Sequence, residues 1–212
     1  MNKQLTLLLI DDHQVLRKGL KDLLNDKLHI KEFNEAENAN QGYELFIKHV
    51  PDIIITDLSL AGASGLELIT KIRRRSPKAK IIVYTMHEEY FYAVQSLSAG
   101  ALGYVLKSSP PENLIRAINF AHLNKPFMCS EIAQKVAIHS LTGELSSMEA
   151  LTTREFEVFR LIAKGLSVND IATLLSISHK TVATYQTRLK RKLNIQSPID
   201  LVKIAMNQGV LH

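Results

Sequence analysis

The first part of the chain, up to about Leu123, alternates short apolar runs with amphipathic stretches of about 10 to 15 residues. Short runs of this kind predict strands, and the stretches between them carry the apolar spacing of helices. The runs are Leu5–Ile10, Ile30–Asn34, Asp52–Thr56, Lys80–Thr85 and Leu102–Leu106. Strands and helices that alternate in this way are typical of βα units on a parallel sheet.

The fold class predicted for residues 1–123 is an α/β flavodoxin-like (βα)5 domain with a five-stranded parallel sheet. In that strand order the first strand lies between the second and the third, and the fourth and fifth follow. Loops at the carboxyl ends of the strands then meet in one crevice, where such sheets bind their ligands. We therefore expect the chemistry of this domain at those strand ends.

The strand pattern stops after residue 123. Residues 124–149 hold one candidate helix, Glu131–His139, followed by a polar stretch, and are predicted to be a linker. Residues 150–212 predict an all-α four-helix domain, with Gly165 ending its first helix and Ser167 and Ser178 capping the next two. The expected helices are Arg154–Lys164, Val168–Leu175, His179–Leu193 and Pro198–Asn207.

Composition and charge narrow the class of protein. A chain of 212 residues with 46% hydrophobic and 22% charged residues suits two globular domains and excludes a disordered or fibrous protein. No apolar stretch is long enough to cross a bilayer, and the start lacks the apolar region of a secretory signal, so we expect a cytoplasmic protein. The single cysteine, Cys129, cannot form an internal disulfide and is interpreted as a packing residue.

The positive charge is concentrated at the carboxyl end. Residues 150–212 hold nine Lys or Arg and four Asp or Glu, which equals the whole excess of +5. A compact basic domain suits a polyanion as partner, although a solvated basic face would give the same count.

Acidic and basic residues follow the predicted strands at one edge of the sheet. Asp11 and Asp12 come after the first strand, Asp57 after the third, Thr85 ends the fourth and Lys107 follows the fifth. Taken singly, each has a structural explanation, such as a helix cap or a solvated lysine. Together they predict one crevice in which three carboxylates repel one another unless a cation compensates.

A hard divalent ion such as Mg²⁺ suits this set of oxygen ligands. With the ion bound, Asp57 could attack phosphorus as a nucleophile while Lys107 and the metal neutralise the transferring group. The hydroxyl of Thr85 could then donate to a phosphoryl oxygen. The sequence therefore predicts phosphoryl transfer to Asp57.

The first domain resembles a response-regulator receiver over its whole length. The resemblance is carried by LLLIDDHQVLRKGL, PDIIITDLSLAGASGLELITKIR, IIVYTMHEEYFYAVQSLSAGALGYVLK and PPENLIRAI. Ser108 stands where receivers commonly have a proline after the lysine. The resemblance implies that Asp57 is the phospho-acceptor and that Lys107 binds the phosphoryl group. It implies Mg²⁺ ligands at Asp12, Asp57 and the Ser59 backbone carbonyl, with Asp11 acting mainly through water. It also implies that Thr85 and Tyr104 form a switch pair. His87 is interpreted as a loop residue.

The two helices around Ser176–Ser178 predict a helix-turn-helix, because so short a connection forces them to cross steeply. The second of them exposes small polar and basic groups suited to a DNA groove, namely Lys180, Thr184, Thr187, Arg188 and Arg191. A solvated helix face is the structural alternative.

The carboxyl segment, from LTTREFEVF to the end, resembles a LuxR-type DNA-binding domain, and with the receiver it defines the NarL/FixJ class of response regulators. The residues near Tyr185, which replaces a frequent histidine, and the motif KLNI resemble the GacA-like subgroup. The resemblance implies backbone contacts from Lys180, Thr181, Tyr185, Arg188 and Lys192, and places Ala183, Thr184 and Thr187 nearest the bases.

The function predicted from the sequence is a DNA-binding transcriptional regulator, not a metabolic enzyme. Its partners would be a sensor histidine kinase, double-stranded DNA and a second copy of the chain, since few base contacts favour a homodimer on paired half-sites. Three alternatives are considered. A phosphatase or phosphotransferase would need an acid at position 59, and a LuxR-type sensor of a diffusible ligand conflicts with the acidic cluster. The third is a receiver whose output is through protein contacts alone.

Overall fold

The computed structural model describes residues 4–60, 63–142, 150–195 and 197–207. The chain divides into two compact units, one formed by residues 1–88 and 93–133 and the other by residues 89–92 and 134–212. They are called the receiver unit and the helical unit below. The predicted boundaries at residues 123 and 149 stay a prediction, and residues 143–149 of the predicted linker and 208–212 of the second domain lie outside the described residues.

The receiver unit is built on a parallel sheet whose strand order confirms the predicted topology. Its strands in chain order are β1 (Leu5–Ile10), β2 (Ile30–Ala36), β3 (Ile53–Thr56), β6 (Ile81–Thr85), β7 (Gly103–Leu106) and β8 (Phe127–Met128), and a separate antiparallel pair is formed by β4 (Ser59–Leu60) and β5 (Ala63–Ser64). The sheet order is β2-β1-β3-β6-β7-β8 with every pairing parallel. The five predicted strands therefore occupy their expected places.

The helices of the receiver unit follow the strands as expected for βα units. They are α1 (Gln14–Lys27), α2 (Ala39–His49), α3 (Gly65–Arg75), α4 (Tyr90–Ser98, whose first three residues group with the helical unit) and α5 (Pro111–His122). One side of the sheet packs its leucines and isoleucines against α1 and α5, where Leu24, Leu114 and Ile118 are fully buried. Burial on both faces explains why the strands are continuous apolar runs.

The predicted linker contains regular structure. Strand β8 adds a sixth strand at the edge of the sheet beside β7, and helix α6 (Ser130–Thr142) follows it. The sequence missed β8 because two residues are too few to show an alternating pattern. Cys129, between them, is buried, and burial raises the pKa of its thiol, as expected for a packing residue.

The helical unit contains the four predicted helices, α7 (Thr153–Ala163), α8 (Val168–Leu174), α9 (His179–Lys192) and α10 (Pro198–Asn207). Ser167 and Ser178 cap α8 and α9 as predicted, by accepting from backbone N–H groups of Asp170 and Thr181. The first helix begins one residue earlier than expected, with Thr152 as its cap. Its end is confirmed at Gly165, whose φ of 82° suits glycine.

A buried ion pair ties the start of α7 to the end of α9. Glu155 is 1% exposed, and its Oε2 accepts from Lys192 Nζ at 2.6 Å and from the Thr152 backbone N–H at 2.8 Å. Burial alone would raise the pKa of Glu155, but the hydrogen bonds from Lys192 and Thr152 outweigh it and lower the pKa below its usual 4.5. The carboxylate form is therefore favoured in the folded state.

We expect the helical unit to lose stability as the pH falls below about 4.5, because a lowered folded-state pKa gives stability that is present above the unfolded pKa and is lost on protonation. Hydrogen exchange of α7 and α9 peptides in the full chain, measured from pH 6 to 3, checks this. Glu155→Gln should flatten that pH response, whereas Glu157→Gln, which removes a less buried pair with Arg154, should keep it. Equal responses in both variants would contradict the account.

Candidate functional site

The predicted acidic crevice is present at the carboxyl ends of the strands. Asp11 follows β1, Asp57 follows β3 and Lys107 follows β7, and both carboxylates are almost fully buried, at 1% and 3% exposed. Lys107 Nζ lies 2.6 Å from Asp11 Oδ2 and 2.7 Å from Asp57 Oδ2. The ammonium group therefore bridges two carboxylates that would otherwise repel each other.

The bridge fixes the charge of the lysine. Burial alone would lower the pKa of Lys107, but the hydrogen bonds and charges of Asp11 and Asp57 outweigh it, so the pKa is raised. The other oxygen of Asp57, Oδ1, accepts from the backbone N–H groups of Leu58 at 2.6 Å and Ser59 at 3.3 Å. The carboxylate of Asp57 is thus held on both oxygens, in one orientation.

A close approach of two backbone segments supports the acceptor. Gly65 begins α3, and its N–H donates to the Leu58 carbonyl at 3.0 Å. A Cβ at this position would lie 2.1 Å from the backbone oxygen of Asp57 and 2.7 Å from Leu58 Cα. Because backbone atoms cannot give way as a flexible side chain can, only glycine fits here.

The donor set at this edge fits a hard divalent cation. Ligand atoms of Asp11, Asp12, His13 and Asp57 all lie within 4.8 Å of one another. His13 is not among the site residues predicted from the sequence, and its Nδ1 lies 2.9 Å from Asp12 Oδ1 and 3.1 Å from Asp11 Oδ1. Neither aspartate caps α1, since the N-cap position is His13 and no side chain caps the helix. Neither aspartate therefore is the N-cap, although Asp11 Oδ1 accepts from the His13 backbone N–H at 2.9 Å, just before the helix.

The two predicted switch residues lie in the same unit, on the neighbouring strands β6 and β7. Thr85 and Tyr104 are both 0% exposed. The hydroxyl of Tyr104 donates to the His87 carbonyl at 2.8 Å, and Thr85 Oγ1 accepts from the His87 N–H at 3.4 Å. The structure brings the pair together with His87, and their movement on phosphorylation stays a prediction. The Ser59 carbonyl as a metal ligand also stays a prediction.

In the helical unit, α8 and α9 form the predicted helix-turn-helix. The connection Leu175–Ser178 turns at Ser176, which has a φ of 53°, and the corner buries Ile171, Ala172 and Val182. A surface depression along α9 is lined by Ser178, Lys180, Thr181, Thr184, Tyr185 and Arg188. Five of the predicted DNA contacts therefore lie together on one face of the helix.

The remaining predicted contacts differ in their surroundings. Ala183 and Thr187 are exposed on α9, and the hydroxyls of Thr184 and Thr187 donate to carbonyls of their own helix at 2.9 and 3.0 Å. Lys192 points inward, with its Nζ on Glu155 and on the Ala150 carbonyl. A DNA contact by Lys192 stays a prediction that requires this ammonium group to share or leave its internal partners.

Two family models match the chain, one in each unit. Residues 7–119 match the response regulator receiver domain, and residues 149–205 match the bacterial regulatory proteins of the luxR family. The chain therefore belongs to the NarL/FixJ class of two-component response regulators, which join a receiver to a LuxR-type DNA-binding domain. It is a phosphorylation-dependent, DNA-binding transcriptional regulator.

Relatives and solved structures agree with this assignment. The chain is 33% identical over 208 residues to the response regulator UvrY of Escherichia coli K12, covering 97% of this chain and 95% of that protein. It is 34% identical over 214 residues to the oxygen regulatory protein NreC of Staphylococcus epidermidis, covering 97% and 98%. RcsB of Salmonella enterica serovar Typhimurium, solved on promoter rprA with a phosphomimetic, superposes with a TM-score of 0.69 at 27% identity, covering 95% of this chain and 98% of that one.

A LuxR-family response regulator from Aurantimonas sp. SI85-9A1 superposes with a TM-score of 0.64 at 34% identity, covering 66% of this chain and 99% of that chain. Within the described residues, every helix is too short or too polar to traverse a bilayer.

Proposed function

We propose that a sensor histidine kinase phosphorylates Asp57 and that this modification changes dimerisation and DNA binding by the helical unit. The observation that carries the proposal is the buried Asp57 carboxylate, held by Lys107 and by two backbone N–H groups at the crevice where the strands end. A fold that buries two carboxylates around one lysine, with the exposed Asp12 beside them, has arranged these groups for a charged group that arrives from outside.

The transfer needs little from the protein beyond position and charge. An oxygen of Asp57 attacks the phosphorus of a phosphohistidine, a P–O bond forms, the P–N bond breaks, and the imidazole leaves with the electron pair. Lys107 shifts from sharing two carboxylates to neutralising the phosphoryl oxygens. Asp11, Asp12 and Asp57 would hold Mg²⁺, which neutralises negative charge on the transferring group.

The same site would release the phosphoryl group to water, so the chain promotes only its own phosphorylation and dephosphorylation and has no separate substrate. Because its other ligand is DNA, we propose that the protein acts in the cytoplasm.

DNA would lie along α9, where Lys180 and Arg188 offer cations to the phosphates and the exposed threonines face the bases. RcsB, which shares this architecture, was solved as dimers on DNA. A second copy would pack on α10, where Ile199, Val202 and Met206 form an exposed apolar row at helical spacing, 66%, 38% and 62% exposed. Two DNA-binding domains on paired half-sites would supply the sequence specificity that one small domain lacks.

We expect Lys180→Ala and Arg188→Ala each to weaken binding of the full chain to different DNA sequences by similar factors. Each lost phosphate contact should reduce the slope of log K against log salt by about 0.9. Titrating labelled DNA at several salt concentrations measures both effects. Lys164→Ala, which removes an exposed cation at the end of α7, is the matched control and should keep the wild-type slope.

Unchanged slopes in all three variants would place the DNA contact elsewhere. A wild-type chain that binds no duplex under any of these conditions, phosphorylated or not, would leave an output through protein contacts as the function.

A further inference from the structure

One short segment of residues 1–125 is strongly basic, although the remainder is acidic. Residues 71–80 hold six Lys or Arg and no Asp or Glu, whereas the rest of residues 1–125 holds ten Lys or Arg and fourteen Asp or Glu. An acidic domain is repelled by a polyanion, so this segment reverses the sign of the charge locally. It ends α3 and leads into β6. Because all strands of the sheet are parallel, the segment lies at the edge opposite to the phosphorylation crevice.

Three of the six cations are held by the fold itself. Lys71 Nζ lies 3.8 Å from the centroid of an aromatic ring on α2. The side chains of Arg73 and Lys80 donate to backbone carbonyls at 3.2 and 2.6 Å. Contacts within the receiver unit therefore account for these three side chains.

The other three cations, Arg74, Arg75 and Lys78, are exposed and are called the basic turn below. Within the described ranges of the chain they make no ion pair and no side-chain hydrogen bond. Cations in a last helical turn interact favourably with the helix dipole, which is a structural explanation for the two arginines. It does not extend to Lys78, which lies beyond the helix, in a turn where the Ala79 N–H donates to the Ser76 carbonyl at 3.0 Å.

The backbone of the basic turn is firmly held. Helix α3 buries Leu68, Ile69 and Ile72, and the Ser76 N–H donates to the Ile72 carbonyl at 2.8 Å where the helix ends. All five residues of β6, which follows, are buried. Binding of a partner would therefore order only the three side chains, which lowers the entropic cost of the contact.

We propose that the basic turn is a second, sequence-independent DNA contact, made to phosphates outside the stretch of duplex that α9 reads. The inference rests on DNA binding by the helical unit. Because both units belong to one chain, the basic turn then meets the same duplex at a high effective concentration. Duplex DNA carries one negative charge per about 1.7 Å of its axis, and contacts from Lys and Arg release its condensed counterions. Arginine can also donate two parallel hydrogen bonds to one phosphate.

The test compares two duplexes that carry the same selected site, one about 20 base pairs long and the other extended by about two helical turns on each side. For the wild-type full chain, the slope of log K against log salt should be steeper on the long duplex by about 0.9 for each added phosphate contact. Replacing the basic turn by Arg74→Gln, Arg75→Gln and Lys78→Gln together should remove that difference. The triple variant should bind the long duplex roughly tenfold more weakly at low salt and keep the wild-type affinity for the short one.

The matched control is Lys18→Gln, Lys27→Gln and Lys31→Gln together, which removes the same charge from exposed side chains of α1 and β2. It should keep the wild-type difference between the duplexes. Both triple variants should gain a phoshoryl group from acetyl phosphate and should unfold as the wild type does, because none of the six side chains lies in the crevice or in the core.

Equal wild-type slopes on the two duplexes, or a difference that survives in the basic-turn variant, would overturn the contact while leaving α9 as the DNA-binding element. If that variant lost binding to poly-glutamate with both duplex slopes unchanged, the partner would be an acidic polypeptide and the DNA contact would be wrong. A wild-type chain that binds neither duplex would overturn the DNA-binding function and this inference with it.

Discussion

Replacing Asp57 by asparagine should abolish the gain of about 80 Da, the mass of one phosphoryl group, that acetyl phosphate and Mg²⁺ produce in the wild-type chain. The amide has nearly the shape of the carboxylate but offers phosphorus no anionic oxygen. Lys107 keeps Asp11 as an anionic partner at 2.6 Å, so the pocket should remain folded. The mass gain is measured on the intact full chain after incubation with acetyl phosphate and Mg²⁺.

Asp26→Asn, which removes an exposed carboxylate at the end of α1, is the control and should gain the full mass. Omitting Mg²⁺ should prevent the gain in both the wild type and the control, because the acidic cluster needs a cation before it accepts another anion. An Asp57→Asn chain modified as fully as the wild type would show that the acceptor lies elsewhere.

Gly65→Ala should be the most damaging Gly→Ala substitution among the described glycines of the receiver unit. Its new methyl group would lie 2.1 Å from the Asp57 carbonyl oxygen, so either α3 or the acceptor loop must move. We expect a loss of unfolding free energy at or above the roughly 1–3 kcal/mol typical of overpacking, together with at least tenfold slower phosphorylation. Denaturant unfolding and the intact-mass assay measure the two effects.

Gly19→Ala is the matched control, since Gly19 lies within α1 and a Cβ there would meet nothing within 4 Å. It should stabilise the receiver unit by about 0.5–1 kcal/mol through helix propensity alone. If Gly65→Ala had the unfolding free energy and the phosphorylation rate of the wild type, the close backbone approach at Asp57 would not contribute to function.

The position of the site could be predicted because it depends on topology. Asp11, Asp57 and Lys107 each follow a buried strand, and the order of parallel strands decides that these strand ends converge. The starts of α8 and α9 could also be predicted from the sequence, because Ser167 and Ser178 cap these helices through hydrogen bonds with backbone groups a few residues away.

What the sequence could not show depends on contacts between distant residues. The resemblance placed Lys192 on the DNA backbone, but its ammonium group contacts Glu155, which lies 37 positions away at the start of another helix. His87 and Ser59, 28 positions apart, meet only because β3 and β6 are neighbours. The sequence could not show that position 65 requires glycine, because the requirement comes from the nearby backbone of Asp57 and not from a turn.

The charge state of one buried carboxylate, Asp57, should control how the helical unit binds DNA. The most direct measurement is the DNA affinity of the full chain and of Asp57→Asn, each with and without acetyl phosphate, on a fragment selected by the phosphorylated wild type. The phosphodonor should change the affinity of the wild type at least fivefold and leave that of Asp57→Asn unchanged. Equal responses of the two proteins, or no response in a fully phosphorylated wild type, would contradict control of DNA binding by Asp57.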